Sequence, residues 1–128
     1  PSLLSGLERS RDCFNSYPVD AVCQAVCAAA ISDAAYYAEI NALVVSERER
    51  LARELRALGF EVLPSCANFL FARREGTEGR AVYEGLRARG VLVRHFDKPR
   101  IGGFVRITVG SRSQNDALLA ALSEMIKQ

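Results

Sequence analysis

At Gly59 the hydrophobic period of this chain changes, and that change limits the folds open to it. Upstream, Tyr36, Ile40, Leu43, Val44, Leu51, Leu55 and Leu58 recur at the three- and four-residue spacing that lines one face of a helix. Ser32 or Asp33 supplies an N-cap and Gly59 a stop, which predicts one helix of about 35 to 40 Å. Downstream, short apolar blocks at 60–63, 68–72, 91–94 and around 103–110 read as strands, with a Pro64-Ser65-Cys66 turn between the first two. An amphipathic helix over 80–89, with Val82, Leu86 and Tyr83 inward, separates the second strand from the third, and Gly90 ends it. A last helix carries Leu118, Leu119, Leu122, Met125 and Ile126, and Ser113 with Asp116 gives it a start resembling a capping box.

Two helices precede the long one. Residues 3–12 read as a short helix and 13–18 as an extended loop, because Tyr17 stands before Pro18. The segment 21–31, opened by Asp20, is almost entirely apolar, so its burial on most sides is expected. Three helices, two strands, a helix, two strands and a final helix make an α+β fold. A small mixed or antiparallel sheet of three to four strands packs against helices, including the one long helix of the N-terminal half.

With 128 residues, 49% of them hydrophobic, the chain suffices for one domain with a core. Seventeen basic residues against 15 acidic leave a net charge of +2, which does not favour a nucleic-acid partner. Cys13, Cys23, Cys27 and Cys66 have no CxxC spacing and lie in apolar surroundings, so buried, reduced thiols are expected and no metal site. No stretch reaches the roughly 18 to 20 apolar residues of a membrane span, and a cytoplasmic protein without a membrane partner is expected.

Chemistry concentrates on arginine. In the strand Val105-Arg106-Ile107-Thr108-Val109, Ile107 and Val109 face one side, and Arg106 and Thr108 the other. Arg94 closes the preceding strand. If the two strands pair, two guanidiniums converge, and such a pair suits phosphate or carboxylate. The alternative is that each arginine pairs with an internal carboxylate or lies along the surface. His95, the one histidine, is expected to be a strand-end surface residue, with a substrate contact as the alternative. Glu47, Glu49 and Glu54 alternate with Arg48, Arg50, Arg53 and Arg56, the pattern of a solvated, salt-bridged helix face.

The segment 59–71 (Gly-Phe-Glu-Val-Leu-Pro-Ser-Cys-Ala-Asn-Phe-Leu-Phe), then 89–96 (Arg-Gly-Val-Leu-Val-Arg-His-Phe) and 105–111 (Val-Arg-Ile-Thr-Val-Gly-Ser) resembles the carboxy-terminal part of histidinol-phosphate aminotransferases, in order and spacing. Residues 11–18 look like the loop leading into the small domain of that family, a branch of the fold-type I, class I/II pyridoxal-phosphate aminotransferases. The resemblance implies one domain over 1–128 belonging to a two-domain enzyme, with 1–18 a leading helix and loop and 19–128 the small domain. It implies that Arg106 grips the acidic end of the substrate and that Arg94 is a second clamp. The parent's substrates would be a phosphorylated amine and a 2-oxo acid, its cofactor pyridoxal 5'-phosphate, and its assembly a homodimer.

The family's reaction needs a lysine able to form a Schiff base, and only Lys98 and Lys127 are present, one in a Pro-flanked loop and one penultimate. No catalytic or cofactor-binding residue is therefore assigned, and the chain alone is expected to be inactive without the missing large domain. Two readings from other classes compete. Residues 100–107 loosely resemble an RNA-recognition signature, but Ile101 and Ile107 occupy positions where stacking rings belong. A small regulatory ligand-binding or assembly domain would use the same layering.

Overall fold

The computed structural model describes residues 2–14 and 19–127 and contains two compact units, residues 1–38 and 39–128. The first unit holds α1 (Ser2–Phe14), α2 (Ala21–Ser32) and the start of α3 (Ala34–Ala57). Asp20 caps α2, its carboxylate accepting from the Cys23 N–H at 2.8 Å. Asp33 does the same for α3, accepting from the Tyr36 N–H at 3.2 Å, so Asp33 rather than Ser32 is the cap. Of the extended loop expected over 13–18, Cys13 and Phe14 instead continue α1, and residues 15–18 lie outside the described residues.

Expected burial of the 21–31 helix is overturned: α2 forms, but none of its residues is buried, and Val22, Val26 and Ile31 are exposed. An apolar composition sets what a helix would gain by burial. It does not supply the surface to bury against. The cysteines are corrected for the same reason, since all four thiols are exposed.

The second unit contains the core. After α3, Gly59 turns the chain with a φ of +84°, a conformation open to glycine without a Cβ penalty. Strands β1 (Phe60–Val62), β2 (Phe69–Arg74), β3 (Arg94–His95) and β4 (Val105–Thr108) form one four-stranded sheet in the order β1-β2-β4-β3, antiparallel throughout. Helix α4 (Gly79–Ala88) precedes β3, and α5 (Arg112–Ile126) follows β4. Strand β2 runs past the 68–72 block expected for it, because Arg73 and Arg74 pair in register with Glu61 and Phe60.

Register sorts the two faces. Leu70 stands opposite Ile107 and Ala72 opposite Val105, all four buried, so this face of the sheet looks into the core. Leu51 and Leu55 of α3, Val82 and Leu86 of α4, and Leu118 and Leu122 of α5 close over it. The period change at Gly59 thus separates α3 from the sheet it covers, and α4 and α5 return to the same face from the region beyond it. Arg106 and Thr108, partners of Phe71 and Phe69, stand on the opposite face.

Two further boundaries differ from the sequence reading. The run Val91-Leu92-Val93 is not strand; pairing begins at Arg94, where the antiparallel register with β4 starts. Helix α5 is capped by Ser111, not Ser113: the Ser111 hydroxyl accepts from the Gln114 N–H, and the Gln114 side chain accepts from the Ser111 N–H at 2.9 Å. Gln at the third helical position completes the reciprocal pair with a longer side chain than Asp116 offers.

Candidate anion site on the open face of the sheet

Arg94 and Arg106 are direct cross-strand partners in the β3–β4 ladder. Side chains of opposed residues leave a sheet on the same face, so the two guanidiniums rise side by side. Arg106 is half-buried and Arg94 exposed. Among the described residues neither forms an ion pair or a hydrogen bond through its side chain, whereas Arg50, Arg73 and Arg80 all hold carboxylates.

Aromatic rings surround the pair instead. The Arg106 Cζ lies over the Phe69 ring, 5.2 Å from its centroid, and 5.8 Å from the centroid of Phe96. The Arg94 Cζ lies 5.5 Å from that same Phe96 ring. A ring face attracts a cation but leaves the in-plane N–H groups of a guanidinium to other acceptors. Like charges set opposite each other on a sheet repel, so the arrangement favours an anion between them.

The loop carrying Phe96 is fastened at several points. His95 Nε2 donates to the Gly102 carbonyl at 2.9 Å, which makes this nitrogen the protonated one, and the imidazole stacks with Tyr83 of α4 at 6.3 Å. His95 faces the core side, half-buried, and its role is to hold the loop; it is not the plain surface residue expected of a strand end. Arg80 donates to Asp97 at 2.8 Å. Gly79 lies so close that a Cβ there would meet the Gly102 carbonyl oxygen at 2.6 Å. Arg100 takes a φ of +71° within the same loop.

A second polar cluster anchors the far end of β4. Glu47 is buried, contrary to the solvated face expected for its helix. Its carboxylate accepts from Arg50, at 2.7 Å from Nη2, and from Asn115 Nδ2 at 3.0 Å. Hydrogen bonds from Arg50 first, then from Asn115, hold the Glu47 pKa down to about 2. Buried Asn115 also brackets Gly110: its amide donates to the Gly110 carbonyl and its carbonyl accepts from the Gly110 N–H, each at 3.0 Å. This joins α3 to Gly110, two residues past the end of β4. The Glu47–Arg50 spacing was legible in the sequence, but Asn115 stands 68 residues away from Glu47 and gave no local sign.

Neither lysine suits a cofactor Schiff base. Lys98 and Lys127 are both exposed, one in the loop after β3 and one at the end of α5, with no desolvating pocket around either. Among the described residues no lysine is set to hold pyridoxal phosphate. Among the described residues no cluster of His, Cys, Asp or Glu is placed to hold a metal ion, and no single helix is long and apolar enough to cross a membrane.

Histidinol-phosphate aminotransferase 1 of Bradyrhizobium diazoefficiens is 51% identical over 124 residues, which cover 97% of this chain and 35% of that protein. The histidinol-phosphate aminotransferase of Chromohalobacter salexigens is 46% identical over 98% of this chain and 36% of its own length. The chain therefore spans about a third of these relatives. Among solved structures, histidinol-phosphate aminotransferase from Sinorhizobium meliloti, in complex with pyridoxal-5'-phosphate, superposes with a TM-score of 0.71 at 28% identity, covering 77% of this chain and 28% of that one. A decarboxylase from Sulfurospirillum multivorans shares the fold, with a TM-score of 0.74 over 95% of this chain and 36% of that one, at 20% identity. A profile of the family described as aminotransferase class I and II matches residues 2–122, and the chain belongs to that family.

Proposed function

We propose that this chain is the small, carboxy-terminal domain of a pyridoxal-phosphate-dependent aminotransferase and that it clamps the acidic end of the substrate. The parent enzyme in this reading transfers an amino group between histidinol phosphate and 2-oxoglutarate in histidine biosynthesis. It works in the cytoplasm as a homodimer. The carrying observation is the Arg94–Arg106 pair: two guanidiniums on one sheet face, without a carboxylate partner among the described residues. The relatives' names support the choice of substrate, and family membership favours this reading over an RNA-binding or regulatory module.

Each arginine has a physical task. Arg106, half-buried between strand neighbours and rings, offers a planar set of donors in a fixed direction. Arg94 adds a second charge at the rim. Together they bind and orient the phosphate, which leaves the amine end of the substrate with one direction to point. Fixed orientation of this kind accounts for a large part of enzymatic rate gain. Pyridoxal phosphate enters as the parent's cofactor, no residue of this chain is assigned to it, and the chain alone is inactive. The exposed Leu3, Leu4, Leu7, Val22 and Val26 are in keeping with a surface that other parts of the parent cover.

The test uses the full-length parent enzyme, assayed with histidinol phosphate and 2-oxoglutarate and, separately, with aromatic amino acids and aspartate as donors. The reading expects kcat/KM to be highest for histidinol phosphate and to collapse in Arg106→Ala. Unchanged kcat/KM in that variant rejects the clamp.

A further inference from the structure

One aromatic ring touches both arginines of the proposed clamp, and no part of the clamp reading calls for it. The Phe96 centroid lies 5.5 Å from the Arg94 Cζ and 5.8 Å from the Arg106 Cζ. Phe96 stands just past the end of β3, and its approach to both guanidiniums puts its ring on their face of the sheet. Its loop is held by the His95–Gly102 hydrogen bond, by the Arg80–Asp97 ion pair and by the close packing at Gly79. The ring is thus fixed from outside the arginine pair and is available to fix the pair.

Two cations on opposed strand positions push each other apart, and in an empty site their long side chains are free to separate into solvent. A shared ring face opposes that separation, because its negative quadrupole attracts both. Phe69 holds Arg106 alone and does nothing for Arg94. We propose, on the basis of the clamp reading above, that Phe96 is a positioning residue that holds Arg94 and Arg106 at a common spacing before substrate arrives, which makes the site select a phosphomonoester over a carboxylate.

Selectivity follows from charge and geometry. A phosphomonoester carries about −1.5 to −2 charge near neutral pH and three terminal oxygens, enough to engage two guanidiniums at once. A carboxylate has one charge and two oxygens and is satisfied by a single bidentate arginine. Loosening the pair therefore weakens the dianion and leaves the monoanion bound mainly by Arg106.

The experiment compares Phe96→Leu and Phe96→Tyr with the unaltered full-length enzyme. Inorganic phosphate and acetate serve as competitive inhibitors, and kcat and KM are measured for the phosphorylated amine. Leucine keeps apolar bulk and removes the ring face, and tyrosine keeps the face. Phe96→Leu is expected to raise both the KM for the phosphorylated amine and the inhibition constant of phosphate roughly 5-fold, with kcat within about 2-fold and acetate inhibition nearly unchanged. Phe96→Tyr is expected to stay within about 2-fold on every measure. Phosphate inhibition unchanged in Phe96→Leu, equal losses for phosphate and acetate, or a Phe96→Tyr as impaired as Phe96→Leu each overturn the proposal. Arg106→Ala, run alongside, separates the two levels. If it retains phosphate inhibition, the clamp reading itself fails; if it loses it while Phe96→Leu does not, only the role of Phe96 falls.

Discussion

Arg94 and Arg106 face each other across the β3–β4 ladder with one phenylalanine ring in reach of both and no carboxylate of the described residues neutralising either. An unbalanced pair of this kind on a sheet face is a cost to the folded chain. In the proposed parent enzyme the substrate supplies the missing negative charge, and the consequences are open to measurement.

Arg106→Ala in the full-length enzyme should lower kcat/KM for histidinol phosphate by about 2 to 5 kcal/mol of transition-state binding, as expected when one partner of an enclosed charge pair is truncated. Arg106→Lys should recover only part of this loss, since a point charge cannot reproduce a planar fork. Steady-state kinetics on both variants decides the matter.

Arg94→Ala should cost less, about 0.5 to 1.5 kcal/mol, because the residue is exposed and water screens its field. The effect should shrink as salt rises. Measuring KM between low and high ionic strength checks it: a penalty independent of salt would place Arg94 in a more enclosed setting than this one.

Asn115→Ala should destabilise the domain by about 1 to 3 kcal/mol, because it leaves the buried Glu47 carboxylate and the Gly110 backbone short of partners. Chemical denaturation gives the number. Asn115→Asp should be worse near neutral pH, since it sets a second carboxylate against Glu47.

The Glu47 pKa of about 2, depressed from 4.5 by Arg50 and Asn115, also fixes a sign for the pH dependence. A lowered carboxylate contributes stability that is fully present above pH 4.5 and is lost as pH falls toward 2. Denaturation midpoints between pH 7 and pH 2.5 should therefore fall on the acid side, and the Glu47→Gln protein, less stable at pH 7, should show a shallower decline. Parallel profiles for the two proteins would remove Glu47 from the acid transition.

Gly79→Ala should be destabilising although alanine favours helices, because the new Cβ would meet the Gly102 carbonyl oxygen at 2.6 Å and force the loop away. A thermal melt should show the loss. If the loop moves with Phe96, phosphate inhibition of the parent should weaken in the same variant.

Much of this architecture could be read from local pattern. The period change at Gly59, the alternation around Arg106, and the Val82 and Leu86 stripe determined helices, strands and the inward residues from Leu51 onward, because side-chain direction in a helix or strand follows from backbone geometry alone, while Tyr36 and Leu43 of the same helical stripe are exposed. The resemblance in the 59–71, 89–96 and 105–111 segments pointed to the family. Pairing was a different matter. That β3 begins at Arg94, that Phe96 comes to serve both arginines, that Glu47 is buried under Asn115 and that α2 stays exposed were decided by the tertiary structure. Each depends on what lies opposite in space, and a chain's local sequence records the tendency to be buried or paired without recording the partner.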